Sequence, residues 1–329
     1  MTSEPATSEP SSPRSEWLAI ARLKAVFGPQ APLGMWPVEV GIGDDAAVVS
    51  VGTTHLVACV DQMVEGTHFL TSLTTLADAG WKAMARNISD IAAMGAAPRF
   101  ALCSMAVPPG RGGDVDEIVG GLAAAAAEWS CPVIGGDLAS GATLVISVTV
   151  MGELTGGGPP LRRSGAVAGD LVYVAGPLGR GGAGYHRLRD ATPSSSAECE
   201  GWYARPRPSI AAGVAARRGG ASAAIDVSDG LVQDLGHLGD ASGVGFVIDA
   251  SAVPIGDGAS RLEALTCGDD YVLVLAVPPS AERTIEAEFG AVGLDPPTLI
   301  GQFVPDATLR HVADAPAGLG AGLGWSHPL

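Results

Sequence analysis

Five short aspartate clusters interrupt the apolar segments of this 329-residue chain: Gly43-Asp44-Asp45, Val60-Asp61, Ser89-Asp90, Gly135-Gly136-Asp137 and Asp226-Val227-Ser228-Asp229-Gly230. They constrain the fold strongly, because a carboxylate within an apolar segment must reach solvent or a cation. Singly, each has an ordinary explanation. Asp before a helix caps it, as Asp226 to Asp229 would before the run from Leu231, and Asp beside Gly makes turns. Together those explanations strain. Asp61 follows an apolar strand and precedes Gln62-Met63, which is no turn, and Asp90 falls inside an apolar helix, one i,i+3 step from Asn87. Carboxylates converging from separate segments repel unless cations sit between them. Lys24 and Lys82 are the only lysines, and 19 Lys and Arg stand against 35 Asp and Glu, a net charge of −16. Hard oxygen ligands in such a chain predict several Mg²⁺ ions, held by one or two carboxylates each together with phosphate oxygens. That is a metal-clamped phosphoryl-transfer site. The same acidity argues against nucleic acid or an anionic membrane as partner.

Between the clusters, helices and strands mix without strict alternation, which predicts an α+β (mixed α/β) fold of two domains. Residues 1–15 read as a disordered tail and Ser15 to Phe27 as a first helix. The Gly/Pro-rich stretch Thr155 to Pro160 is the expected boundary between an N-terminal domain, residues 16–155, which the resemblance described below makes ATP- and Mg-binding, and a C-terminal α/β domain, residues 161–329. Apolar spacing gives helices over Leu76 to Met94 and Val115 to Trp129. Residues 194–200 read as a loose stretch. Five scattered cysteines without a C-x-x-C pair fit reduced thiols. With no basic-then-apolar start and no long uncharged run, the expectation is a soluble, cytoplasmic protein.

Competing templates fail. No G-x-x-x-x-G-K-[ST], H-E-x-x-H or G-x-S-x-G occurs. Gly179-Arg180-Gly181-Gly182-Ala183-Gly184 matches G-x-G-x-x-G after a strand, yet no second strand ending in an acid follows about 20 residues on, as a dinucleotide site requires. That loop either approaches a phosphate by its amides or simply packs closely. His68, seven residues after Asp61, falls near the predicted site.

Read in order, the segments GIGDDAAVV, D-x-x-V-E-G-x-H-F, N-x-S-D-I-A-A-M-G-A-x-P, I-G-G-D, R-S-G-A-x-x-G-D, D-V-S-D-G-L and G-D-D-Y resemble the thiamine-monophosphate kinase family, in the superfamily of aminoimidazole ribonucleotide synthetase. The resemblance runs from about Gly41 to Gly324-Trp325-Ser326-His327. It implies an ATP-dependent kinase that makes thiamine diphosphate from thiamine monophosphate by direct γ-phosphoryl transfer. It also implies a homodimer whose N-terminal halves share a β-barrel, with α/β C-terminal halves outside. Carried over residue by residue, Asp45, Asp61, Asp90, Asp137, Asp226 and Asp229 match metal ligands. Val60 joins the metal positions, where a valine offers only its backbone carbonyl. Gly136, Asp137, Arg163 and Ser228 match ATP contacts, and His68, Asp269 and Trp325 match contacts to the thiamine phosphate. Asp61, Asp229 and Arg163 are the expected catalytic set. The acceptor is a phosphate monoester, nucleophilic at neutral pH, so the site must supply alignment of two anions rather than a strong base.

This chain departs from the family at three places. Cys59-Val60-Asp61 replaces Ser/Thr-Thr-Asp, Gly268-Asp269-Asp270-Tyr271 replaces Gly-Glu-Asp-Tyr, and Leu138 replaces a threonine. The changes at 59, 60 and 269 leave open an alternative: another ATP-dependent enzyme of the superfamily with a different phosphorylated or amide substrate.

Overall fold

The computed structural model describes residues 14–27, 37–191 and 197–320. The expected tail falls outside them as far as residue 13, and so does Trp325. A first helix, α1 (Arg14–Phe27), precedes β1 (Val38–Val40), β2 (Ala47–Val51), β3 (Thr54–Val64), α2 (Leu76–Ala93), β4 (Ala97–Val107), α3 (Asp114–Glu128), β5 (Val133–Ser140) and β6 (Val145–Glu153). These strands form one sheet in the order β1-β2-β3-β6-β4-β5, antiparallel except for the β4–β5 pair. Along β6 every second residue is buried, the period of a strand with one covered face. Helices α2 and α3 cross at glycines: a Cβ on Gly121 would stand 1.8 Å from the Ala77 carbonyl oxygen.

Helix α2 starts at a capping box. Asp78 N–H donates to Thr75 Oγ1 and Thr75 N–H to Asp78 Oδ2, each at 3.1 Å. It ends at Met94, followed by Gly95 with φ +67°, the left-handed residue that closes a helix.

The second half builds β7 (Leu171–Val174), α4 (Arg180–Asp190), α5 (Ala197–Ala204), α6 (Ile210–Gly219), β8 (Ala223–Asp226), α7 (Leu231–Ser242), β9 (Gly245–Asp249), α8 (Arg261–Thr266), β10 (Leu273–Val277), α9 (Glu282–Ala291), β11 (Thr298–Val304) and β12 (Arg310–Ala313). Their sheet runs β12-β9-β11-β7-β10-β8, antiparallel except β12–β9. The architecture is mixed α/β with two mixed sheets, as the sequence predicts. The stretch read as loose is helical from Ala197 onward.

One apolar core lies under the first sheet and a second within the second. A third joins the halves, where Ala93 of α2 packs with Ala212, Ala215 and Ala216 of α6 and with β10. The Arg217 guanidinium caps that joint by donating Nε–H to the Gly95 carbonyl at 2.9 Å. No described helix is long and apolar enough to cross a membrane.

Candidate active site

The seam between the halves is polar, and α2 supplies much of it. Lys82, Arg86, Ser89 and Asp90 follow one another at i, i+4, i+7 and i+8 and so share a helix face. Ser89 Oγ donates to Asp226 Oδ2 at 2.6 Å, Arg86 Nε to Asp61 Oδ2 at 2.9 Å, and Lys82 Nζ to Asp269 Oδ2 at 2.7 Å. Asn87 does not share this face in function: it is fully buried and donates Nδ2 back to the Ala83 carbonyl at 3.0 Å.

Three of the expected metal residues converge. Asp45, from the turn after β1, Asp90 of α2 and Asp226 at the end of β8 bring one carboxylate oxygen each within 4.8 Å of the others. Burial, then the charges of Asp61, Asp226 and Asp45, push the Asp90 carboxyl well above its ordinary range. Burial and Asp45 push Asp226 up to about 7, and burial and Asp45 push Asp44 up to about 6. Arg163 partly offsets the charge through Nη2 and Nε on Asp45 Oδ1, at 2.5 and 3.1 Å. Its backbone N–H donates to Asp44 Oδ1 at 3.0 Å. The other oxygen of Asp45, Oδ2, is buried without a hydrogen-bond partner among the described residues. An orphaned carboxylate oxygen inside an all-oxygen triad fits a hard divalent cation and is costly without one.

The remaining metal positions lie outside this tight triad. Asp61 lies on β3 beside Arg86. Asp229 accepts from Gln233 Nε2 at 3.2 Å in the loop before α7. That loop is not capped as the sequence predicts, by Asp226 or Asp229. Gly230 is the N-cap, with φ +130° and no side-chain bond, and Asp234 in the first turn reaches back. Its Oδ2 accepts from the N–H groups of Ser228, Asp229 and Gly230 at 3.0–3.1 Å. A carboxylate collecting three orphan amides is the same physics with the polarity of the chain reversed.

The Gly135-Gly136-Asp137 cluster lies in the middle of β5. Register puts Asp61, Val148, Cys103 and Gly136 in one row across the sheet, on the face covered by α2. Gln62, Ser147, Ser104 and Asp137 form the next row, on the uncovered face, as do Val60, Thr149, Leu102 and Gly135. Sheet pleating thus separates the side chains of Val60 and Asp137 from that of Asp61. Gly136 has no room for a side chain: a Cβ would stand 1.7 Å from the Cys103 carbonyl oxygen.

A cleft of about 590 Å³ is lined by His68, Arg86, Tyr185, Tyr203, Ser228, Asp229, Asp269 and Tyr271 among others, so that α2 and the loop after Asp226 both border it. Val64 N–H donates to His68 Nδ1 at 2.9 Å, so this nitrogen carries no proton and the ring presents Nε2–H. Asp269 and Tyr271 both have positive φ, +63° and +53°. An aromatic residue there is an outlier, the kind of stored strain that collects at functional sites. Backbone bonds hold it: Asp269 N–H donates to the Ser228 carbonyl and Tyr271 N–H to that of Val227, at 2.9 and 2.8 Å. Burial raises the Asp269 carboxyl, but the Lys82 and Arg86 cations and the Tyr271 hydroxyl (2.8 Å) leave it below the ordinary range. Burial, against the pull of Asp269, holds the Lys82 ammonium below its ordinary value. Lys82 also lies 4.0 Å above the Tyr203 ring.

The glycine loop is explained here. Gly179 and Gly181 N–H groups donate to the two oxygens of Asp270, at 2.5 and 3.0 Å. The loop packs against a carboxylate of this chain, which settles the choice between phosphate approach and close packing in favour of packing. Sequence reasoning missed Arg86, Asp234, Asp270 and the role of Lys82. For the two aspartates the signal was Asp-Leu-Gly-His after D-V-S-D-G-L and the second Asp of G-D-D-Y.

Comparison with known proteins agrees with this geometry. Residues 43–154 match the AIR synthase related protein N-terminal domain and 167–314 its C-terminal domain. The thiamine-monophosphate kinase of Salmonella typhimurium is 36% identical over 283 residues, 82% of this chain and 85% of that one. That of Bacillus subtilis is 37% identical over 290 residues, 84% and 88%. The solved complex of AaThiL with AMPPCP and TMP superposes with a TM-score of 0.80 at 27% identity, covering 98% of this chain and 100% of that one. Both AIR synthase related domains and relatives matched over most of their length show that the chain belongs to the thiamine-monophosphate kinase family.

Proposed function

We propose that the chain transfers the γ-phosphoryl group of ATP directly to the phosphate of thiamine monophosphate, yielding ADP and thiamine diphosphate. The observation that carries this is the Asp45–Asp90–Asp226 triad with its orphaned oxygen, together with a cleft lined by Arg86, Ser228 and Asp229 as well as His68 and Asp269. Asp45, Asp90 and Asp226 hold Mg²⁺, with Asp61 and Asp229 as further ligands and Val60 offering its carbonyl, while Asp137, on the opposite face of the first sheet, serves as a ligand only from across the dimer. Bound there, Mg²⁺ supplies the positive charge that lets two phosphate chains approach. Arg163, its Nε and Nη2 braced on Asp45, offers its remaining Nη1 edge to ATP, and Gly136 and Ser228 offer backbone and hydroxyl contacts. His68 and Asp269 orient the acceptor, and Trp325, outside the described residues, is a further acceptor residue by the family resemblance. Proton transfer has a minor part, because the acceptor oxygen is nucleophilic at neutral pH.

The chain divides functionally into 16–155 and 161–329, and works as a homodimer joined through the uncovered face and edge of the first sheet into a shared β-barrel. Support comes from apolar side chains exposed on that face, Val60 at 60%, and on the edge strand β5, Ile134 at 62% and Leu138 at 60%.

The test is turnover with ATP, Mg²⁺ and thiamine monophosphate, followed by chromatography. Equimolar ADP and thiamine diphosphate are expected. ATP binding without thiamine diphosphate would move the assignment to another acceptor of the superfamily, with Cys59, Val60 and Asp269 the first residues to exchange.

A further inference from the structure

Of the side chains that α2 sends into the seam, Lys82 and Ser89 each meet an aspartate of the second half. Lys82 is 4% exposed, with its ammonium on Asp269 and over the Tyr203 ring. Ser89 is fully buried on Asp226. Arg86 differs. A guanidinium has five N–H donors in a planar fork and keeps its charge at any working pH. Among the described residues only its Nε donates, to Asp61. The side chain is 18% exposed and lines the cleft with His68, Ser228, Asp229, Asp269 and Tyr271. A mostly buried cation with four donors left over, facing a cleft, is built to receive an oxyanion.

The surroundings of Asp61 point the same way. The Cys59 thiol donates to the Asn87 carbonyl at 3.4 Å, and Val60 projects on the other face of the sheet. Neither brings a hydroxyl to Asp61. Arg163, the arginine beside the triad, is engaged on Asp45 through both Nη2 and Nε. Arg86 is therefore the cation standing between Asp61 and the cleft.

We propose that Arg86 binds the phosphate of the acceptor, its guanidinium bridging the Asp61 carboxylate and the phosphomonoester dianion. This rests on reading the cleft as the acceptor site. It adds a residue that selects a phosphorylated acceptor over the corresponding alcohol, and it uses an arginine where the neighbouring positions 59 and 60 offer no side-chain oxygen. A bidentate contact to the non-reacting phosphate oxygens aligns the remaining one for attack and persists as charge builds in the transition state.

Two ligands that differ only in the phosphate separate this role from a structural one. Calorimetric titrations of thiamine monophosphate and of thiamine, each with Mg²⁺, would be run on the wild-type chain, Arg86→Gln and Arg86→Lys. Arg86→Gln should weaken thiamine monophosphate by at least about 30-fold, the usual cost of removing one partner of a desolvated charge pair, and leave thiamine within about twofold. Arg86→Lys, which keeps the charge without the fork, should fall between. In turnover, KM for thiamine monophosphate should rise while KM for ATP holds. Equal weakening of both ligands, or unchanged affinity for the phosphorylated one, overturns the proposal. A wild-type chain that turns over thiamine monophosphate while Arg86→Gln binds it equally well sinks Arg86 alone. A wild-type chain that binds neither ligand sinks the acceptor site as well.

Discussion

Asp226 shows what a single buried carboxylate does to this molecule. Burial and Asp45 lift it from the ordinary 3.8 to about 7, so between those values the folded chain holds a proton that the unfolded chain has lost. Its contribution is fully present below about pH 4 and disappears as pH rises through 7. Asp226→Asn removes that dependence. In EDTA, the melting temperature of the variant relative to wild type should climb by several degrees from pH 5 to pH 8. Mg²⁺ should then stabilise wild type more at pH 8 than at pH 5. A pH-independent difference would show that the triad carries no strained charge. Asp61→Asn should abolish turnover by orders of magnitude while leaving the melting temperature within a few degrees, because Arg86 keeps a neutral acceptor beside it. An active Asp61→Asn would sink the metal clamp. Aspartates were the legible part of the site, since an acid amid apolar residues has few harmless explanations. Lys82 and Arg86 were not legible, because a cation on a helix ordinarily faces water, and only the packed second half shows that these two do not.

At the scale of elements, α2 is the organiser. Its limits could be read from apolar period and a terminal Gly95, and it is found over Leu76–Ala93. Its closeness to α3 could not be read, since it depends on which glycines face which carbonyls. Gly121→Ala should lower the melting temperature by several degrees, roughly 2–3 kcal/mol of overpacking, because the new methyl meets the Ala77 carbonyl. Thermal unfolding checks this, and an unchanged transition would mean that the helices separate freely. Close contacts of this kind recur. In β5, close approach to β4 requires the glycine at 136. Asp226 and Asp229 have capping composition, yet the cap comes from Asp234. Local chemistry named a motif correctly in kind and missed which partner the tertiary contact supplies.

At the scale of the whole molecule, the uncovered face of the first sheet and its exposed β5 edge predict association. Light scattering should give twice the chain mass, and Leu138→Glu should shift it toward one chain with loss of turnover. A wild-type chain at single mass with full activity would reject the shared barrel. The sequence by itself determined the mixed α/β class and the positions of the acidic clusters. Those follow from periodicity, composition and the cost of a carboxylate in an apolar segment, all of which are local. Tertiary structure alone decided that Asp45, Asp90 and Asp226 share one space, that Asp137 lies across the sheet from Asp61, and that the glycine loop holds Asp270. Register, pleat and the joint of α2 with α6 set these distances. They arise from contacts between residues far apart in the chain, which no window along the sequence contains.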